Sequence, residues 1–176
     1  IYGGLIFVDS SPRAVNDQQA QAVMAAAPLS YVGVFRDAAI EEVVTRATKL
    51  KLAAVQLHGS EDQAWIDALR AALPEQIQIW RALSVGETLP PRNLNHVARY
   101  VFDNGQGGSG QRFDWSLLQG QDLRNVMLAG GLSADNCVEA AKSGCAGLDF
   151  NSGVESQPGI KEASLVAAVF QTLRAY

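Results

Sequence analysis

Long apolar runs are missing from this chain. No stretch of its 176 residues approaches the roughly 20 that a bilayer crossing requires, so no membrane partner is expected. Basic residues are few and scattered: 14 Lys and Arg stand against 18 Asp and Glu, for a net charge of −4. Without a Lys/Arg cluster, nucleic acid is not expected as a partner either. Cysteine and histidine number two each. Neither Cys137 nor Cys145 has a His or second Cys at ligand spacing, and His58 and His96 are far apart, so no metal site is expected. Both cysteines read as small buried residues in a reducing compartment, and His96 reads as a surface residue. No basic start precedes an apolar segment, because Ile1 already lies in strand-like sequence. No signal peptide is therefore expected, and the cytoplasm is the expected location.

What is present is an ordinary globular composition, 48% hydrophobic and 18% charged, enough for one domain with a core. A unit recurs along it. Short apolar, strand-forming runs start near residues 5, 31, 53, 77, 100, 126 and 147. Segments of helical composition lie between many of them, notably residues 20–26, 40–47, 62–69 and 136–141, with a last one over 162–173. The spacing of about 21 to 26 residues is that of a strand, a covering helix and short loops. Near-continuous apolar strands alternating with helices predict a parallel α/β sheet covered by helices. No linker interrupts the series, so residues 1–176 read as one domain. An open doubly wound sheet and a closed (βα)8 TIM barrel both fit. Seven regular units without a long crossover favour the barrel, which needs eight strands. Seven are visible, and the first strand and helix are expected to be missing from the front.

In such a barrel the active site gathers at the carboxyl ends of the strands. The run Tyr100-Val101-Phe102 delivers Asp103 there. Gly105, Gly107, Gly108 and Gly110 follow, a stretch so costly to order that it suits a flap closing over a ligand. Asp114 then caps a helix-like turn, Trp115 to Leu118. An acid at a strand end under a flap, Gly107-Gly108-Ser109-Gly110, is a candidate proton donor; a carboxylate that merely caps a turn is the competing reading. The glycines also fit a dinucleotide pattern, but they do not turn directly into a helix and no acidic residue follows at the required distance. After the first strand, Arg13 is a candidate for gripping a carboxylate, with an exposed loop arginine as the alternative. After the third, alternation aims Gln56 and His58 to one side and Leu57 to the other, with a hydrogen-bonded structural histidine as the alternative. At the last two strands, Gly130-Gly131 and Asn151-Ser152-Gly153 form glycine-bearing turns, where barrels commonly hold a phosphate on backbone amides.

The residues Ser11-Pro12-Arg13, Val32-Gly33-Val34-Phe35, Val55-Gln56-Leu57-His58-Gly59, Asp103, Gly107-Gly108-Ser109-Gly110, Phe113-Asp114-Trp115, Ala129-Gly130-Gly131-Leu132 and Gly153-Val154-Glu155 with Pro158-Gly159, in that order, resemble phosphoribosylanthranilate isomerase, a (βα)8-barrel family of tryptophan biosynthesis. The match is closest to the isomerase half of bacterial bifunctional proteins whose other half is indole-3-glycerol-phosphate synthase. The resemblance implies a cofactor-free Amadori rearrangement of N-(5′-phosphoribosyl)anthranilate to 1-(2-carboxyphenylamino)-1-deoxyribulose 5-phosphate. It makes Asp103 the general acid toward the ribose ring oxygen and sets Arg13 toward the anthranilate carboxylate. Gly131 and Ser152 would hold the phosphate, while Gln56, His58 and Asp149 line the cavity around the ribose. The partners it implies are that small-molecule substrate, an upstream synthase domain and the absent first βα unit. The family's general base is a cysteine in a Cys-Gly-hydrophobic-Thr motif on that first strand, and this chain has no such motif. Little activity is therefore expected of the chain alone. A histidine-pathway sugar-phosphate isomerase and a non-catalytic barrel fragment or ligand binder are the alternatives.

Overall fold

A computed structural model describes residues 1–105 and 112–176. Seven strands follow one another in sequence order in one sheet: β1 (Tyr2–Ile6), β2 (Ser30–Phe35), β3 (Ala54–Leu57), β4 (Gln78–Ser84), β5 (Val97–Asp103), β6 (Val126–Leu128) and β7 (Gly147–Leu148). All seven lie where the apolar runs place them. The fold is α/β with a parallel sheet. The residues divide into two compact units, 1–81 with 93–98, and 82–92 with 99–176.

In the first unit, three helices cover the strands: α1 (Asp17–Ala26), α2 (Ile40–Lys49) and α3 (Gln63–Ala72). Their starts follow from local chemistry. Asn16 caps α1 in a reciprocal box with Gln19, and Asp62 accepts from the Trp65 amide at the head of α3. Alternation then sorts the strands. Leu5, Phe7, Phe35, Val55, Leu57 and Ile79 pack against the helices in one core, each contributing roughly 1.5–3 kcal/mol by leaving water. The opposite face carries the row Ile6, Val34, Gln56 and Trp80. Tyr2 on β1 meets Trp80 on β4 edge to face, with ring centroids 5.1 Å apart. Flat, the two strands would stand about 14 Å apart, so this part of the sheet is strongly curled.

The second unit is less regular. Between β4 and β5, residues 85–96 form no helix. Pro90 and Pro91 explain the gap, since neither has an amide to donate and each disfavours helical backbone before it. Trp115–Leu118 is a 3₁₀ turn capped by Asp114. After β6 come α4 (Cys137–Ala141), β7 and a second 3₁₀ turn, Ser152–Val154. A small antiparallel hairpin, β8 (Glu155–Gln157) and β9 (Ile160–Lys161), then leads into α5 (Ala163–Ala175). The alternating pattern did not anticipate this hairpin. Its turn, Pro158-Gly159 with Gly159 at φ 88°, has the signature of a type II turn.

Candidate active site

In the second unit, hydrogen-bond register decides which side chains meet. Phe102 pairs with Leu128 and Leu128 with Leu148. One residue further on, the Ala129 amide donates to the Phe102 carbonyl and the Asp149 amide to that of Leu128. Asp103, Ala129 and Asp149 therefore share a row at the strand ends, on the face away from Phe102 and Leu128. Ala129 takes up little room between the two carboxylates. Asp103 is held by its neighbours: its carbonyl accepts from the Val85 amide at 2.7 Å, and its Oδ1 accepts from the Asn104 amide at 2.6 Å. Gly105, at φ 77°, turns the chain so close to β4 that a side chain there would strike Ser84.

Both carboxyls hold protons more tightly than free aspartate. Burial raises Asp103, opposed by the Asn104 amide. Burial also raises Asp149, reinforced by the charge of Asp103 and opposed by the Lys161 ammonium. The charge of Asp103 thus makes Asp149 the harder of the two to ionise.

The glycine turns lie at the same strand ends. Gly130 and Gly131 take successive left-handed conformations, φ 85° and 66°, which L side chains adopt only at a cost. Asn136 braces this turn, donating to the Gly131 carbonyl and accepting from the Ser133 amide. Gly153 lies directly on the Leu132 carbonyl, where an added Cβ would come within 1.9 Å of the oxygen. The turns at 130–133 and 151–154 are thus in contact. The Asn151 side chain accepts from Lys161 Nζ.

The first unit holds Arg13, Gln56 and His58. Gln56 is buried and its Nε2 lies 2.5 Å from His58 Nε2, so the two do point to one side. An amide nitrogen only donates, so His58 Nε2 accepts and the ring is neutral, with its proton on Nδ1. Burial, then the Arg81 and Arg36 charges, lower His58 to about 4. Arg13 is half-buried in a tight turn after β1, its amide donating to Ser11 Oγ.

Beneath His58 lies a network that the sequence did not suggest. Glu61, its side chain fully buried, accepts from the Asp37 and Gly59 amides and from Arg81 Nη1 at 2.6 Å. Arg81 also donates to the Leu57 and Gly59 carbonyls. A charge ending the apolar run Ile77-Gln78-Ile79-Trp80-Arg81 was the one visible sign of it. Lys161 was missed because its hairpin was.

Cys137 is buried in α4, but Cys145 is only half-buried, a correction to the expectation that both are enclosed. Its sulfur lies 3.3 Å from the Gly147 carbonyl, at the end of β7 away from Asp149. Neither thiol stands at the carboxyl end of a strand. His96 is exposed, as expected. The flap residues Gly107, Gly108, Ser109 and Gly110 lie outside the described residues. Among the described residues no group of three or more His, Cys, Asp or Glu is arranged to hold a metal, and no helix is long and apolar enough to cross a membrane. A cleft of about 670 Å³ beside Pro90, Arg92, Asp122 and Arg124 lies before β6, at the opposite strand ends from the carboxylates.

Residues 1–172 match the family N-(5′-phosphoribosyl)anthranilate (PRA) isomerase. The chain is 70% identical over 176 residues to the tryptophan biosynthesis protein TrpCF of Salmonella typhi, and 65% identical to that of Yersinia pestis. All of this chain is covered, but only 39% and 37% of those relatives. Among solved structures, phosphoribosyl anthranilate isomerase from Thermus thermophilus superimposes with a TM-score of 0.84 at 30% identity, covering 99% of this chain and 88% of that one. A phosphoribosyl anthranilate isomerase in complex with reduced 1-(o-carboxyphenylamino)-1-deoxyribulose 5-phosphate superimposes with a TM-score of 0.80 at 25% identity, covering 99% of this chain and 88% of that one.

Proposed function

This chain belongs to the N-(5′-phosphoribosyl)anthranilate isomerase family, and from that premise we propose that it carries the acid half of an Amadori rearrangement in tryptophan biosynthesis. The observation that bears most weight is the row of Asp103 and Asp149, both with raised pKa, beside two touching glycine turns. Asp103 gives its proton to the ribose ring oxygen as the C1′–oxygen bond breaks, leaving an open-chain Schiff base. A base then removes the C2′ proton, and the enolamine tautomerises to the ketone. Amides of Gly131, Ser152 and Gly153 receive the phosphate, with Gly130 and Asn151 shaping their turns. Asp149 serves the ribose.

We propose further that both units belong to one isomerase domain whose (βα)8 barrel is completed by a segment outside these 176 residues. The sheet order running from β1 to β7 supports this. That segment supplies the cysteine base, so the 176 residues alone turn over little substrate. An indole-3-glycerol-phosphate synthase domain is the proposed upstream partner and the cytoplasm the proposed location; relatives more than twice as long support the first.

The test follows the fluorescence of N-(5′-phosphoribosyl)anthranilate as the complete polypeptide consumes it. Asp103→Asn should lower kcat by roughly 10²–10⁴-fold while binding of the reduced product analogue persists. Full activity in that variant would refute the assignment. Turnover of an aminoimidazole carboxamide ribotide instead would favour the histidine-pathway reading, and binding without turnover the non-catalytic one.

A further inference from the structure

The β8–β9 hairpin places a lysine behind the second glycine turn. Lys161 Nζ donates to the Asn151 carbonyl at 3.0 Å, to Asn151 Oδ1 at 2.6 Å and to Glu155 Oε1 at 2.8 Å. An ammonium has three protons to donate, and all three are engaged. The Glu155 carboxylate it meets is almost wholly buried, with 3% of its side chain exposed. The hairpin register, Glu155 opposite Lys161, brings the pair together. The Glu162 amide, donating to the Val154 carbonyl, ties the strand's exit to the same turn. Asn151 is thus gripped at both its backbone and its side chain, immediately before Ser152 and Gly153.

We propose that Lys161 is a positioning residue for phosphate recognition, setting the direction of the Ser152 and Gly153 amides through its double contact with Asn151. The proposal rests on the phosphate reading given above. Glu155 offsets much of the ammonium charge, so Lys161 acts through placement more than through its field. Hydrogen bonds to an anion weaken steeply as donors swing off line, and about 1 Å of misplacement costs up to roughly 100-fold. Asn151 accordingly supports the turn, with its Oδ1 committed to Lys161.

The test uses the complete polypeptide and two probes, reduced 1-(o-carboxyphenylamino)-1-deoxyribulose 5-phosphate and its dephosphorylated form. Lys161→Met should weaken the phosphorylated probe by roughly 10- to 100-fold, leave the other within two-fold, and raise KM more than it lowers kcat. Lys161→Arg should restore most of the loss. Glu155→Gln, which keeps an acceptor for Lys161, should leave both affinities within two-fold. Equal losses for the two probes in Lys161→Met would reduce Lys161 to a fastener of the hairpin and overturn the proposal. So would unchanged affinity for the phosphorylated probe. If Lys161→Met does not fold, tighter binding of the phosphorylated probe alone in Glu155→Gln would overturn it instead, because the uncovered ammonium would then be acting through its charge. Failure of the unaltered protein to bind either probe would sink the phosphate reading itself, a separate result.

Discussion

Replacing Glu61 by alanine is expected to unfasten the turn that follows Gln56 and His58. The carboxylate is fully buried, and its partner Arg81 has only 11% of its side chain exposed. The substitution leaves a nearly buried guanidinium without its counter-charge and takes the acceptor from the Asp37 and Gly59 amides. Removing one side of a buried ion pair costs about 3–5 kcal/mol. Each orphaned amide adds about 1–3 kcal/mol unless water enters, and Arg81 keeps the Leu57 and Gly59 carbonyls, so the net loss should stay near 3–5 kcal/mol. That is a large share of the roughly 5–15 kcal/mol that holds a domain folded. Urea unfolding at neutral pH measures it. Because the harm comes from an uncompensated charge, Glu61→Leu combined with Arg81→Met should be at least about 2 kcal/mol more stable than Glu61→Leu alone. A loss below about 1 kcal/mol for Glu61→Ala, or no recovery in the double variant, would refute the reasoning.

Three further outcomes are expected. Acidification should cost stability through His58. Its folded pKa of about 4 lies below the ordinary 6.5, so this contribution is present above 6.5 and lost as pH falls to 4, by about 3 kcal/mol. Urea unfolding across that window, compared with His58→Gln, isolates it. Asp149→Asn should raise the melting temperature at neutral pH, because a carboxyl whose folded pKa is raised loses stability as it ionises. Gly153→Ala should part the two glycine turns, because the new methyl meets the Leu132 backbone, which cannot rotate aside. Thermal melts should show about 1–3 kcal/mol of destabilisation, and KM should rise more than kcat falls.

Much of this molecule was legible in its sequence. Hydrophobic period and spacing placed all seven strands, and alternation along Gln56-Leu57-His58 showed which residues share a face. The strand-end acid and the two glycine turns were readable because glycine and aspartate carry local meaning wherever they fall. The non-helical stretch at 85–96 was also written there, in Pro90 and Pro91, although the regular rhythm of the neighbouring units masked it.

Other features depend on residues that meet only once the chain has folded. Asp103 and Asp149 are 46 positions apart, and hydrogen-bond register alone makes them neighbours that contest a proton. Glu61 looks like any loop carboxylate until Arg81 arrives from the next strand. Lys161 looks like a surface lysine until the Pro158-Gly159 turn folds it back onto Asn151. Periodicity is a property of neighbours in sequence, so the sequence by itself determined the elements and their faces. Burial, charge coupling and the aim of a turn are properties of neighbours in space, and only the tertiary structure decided those.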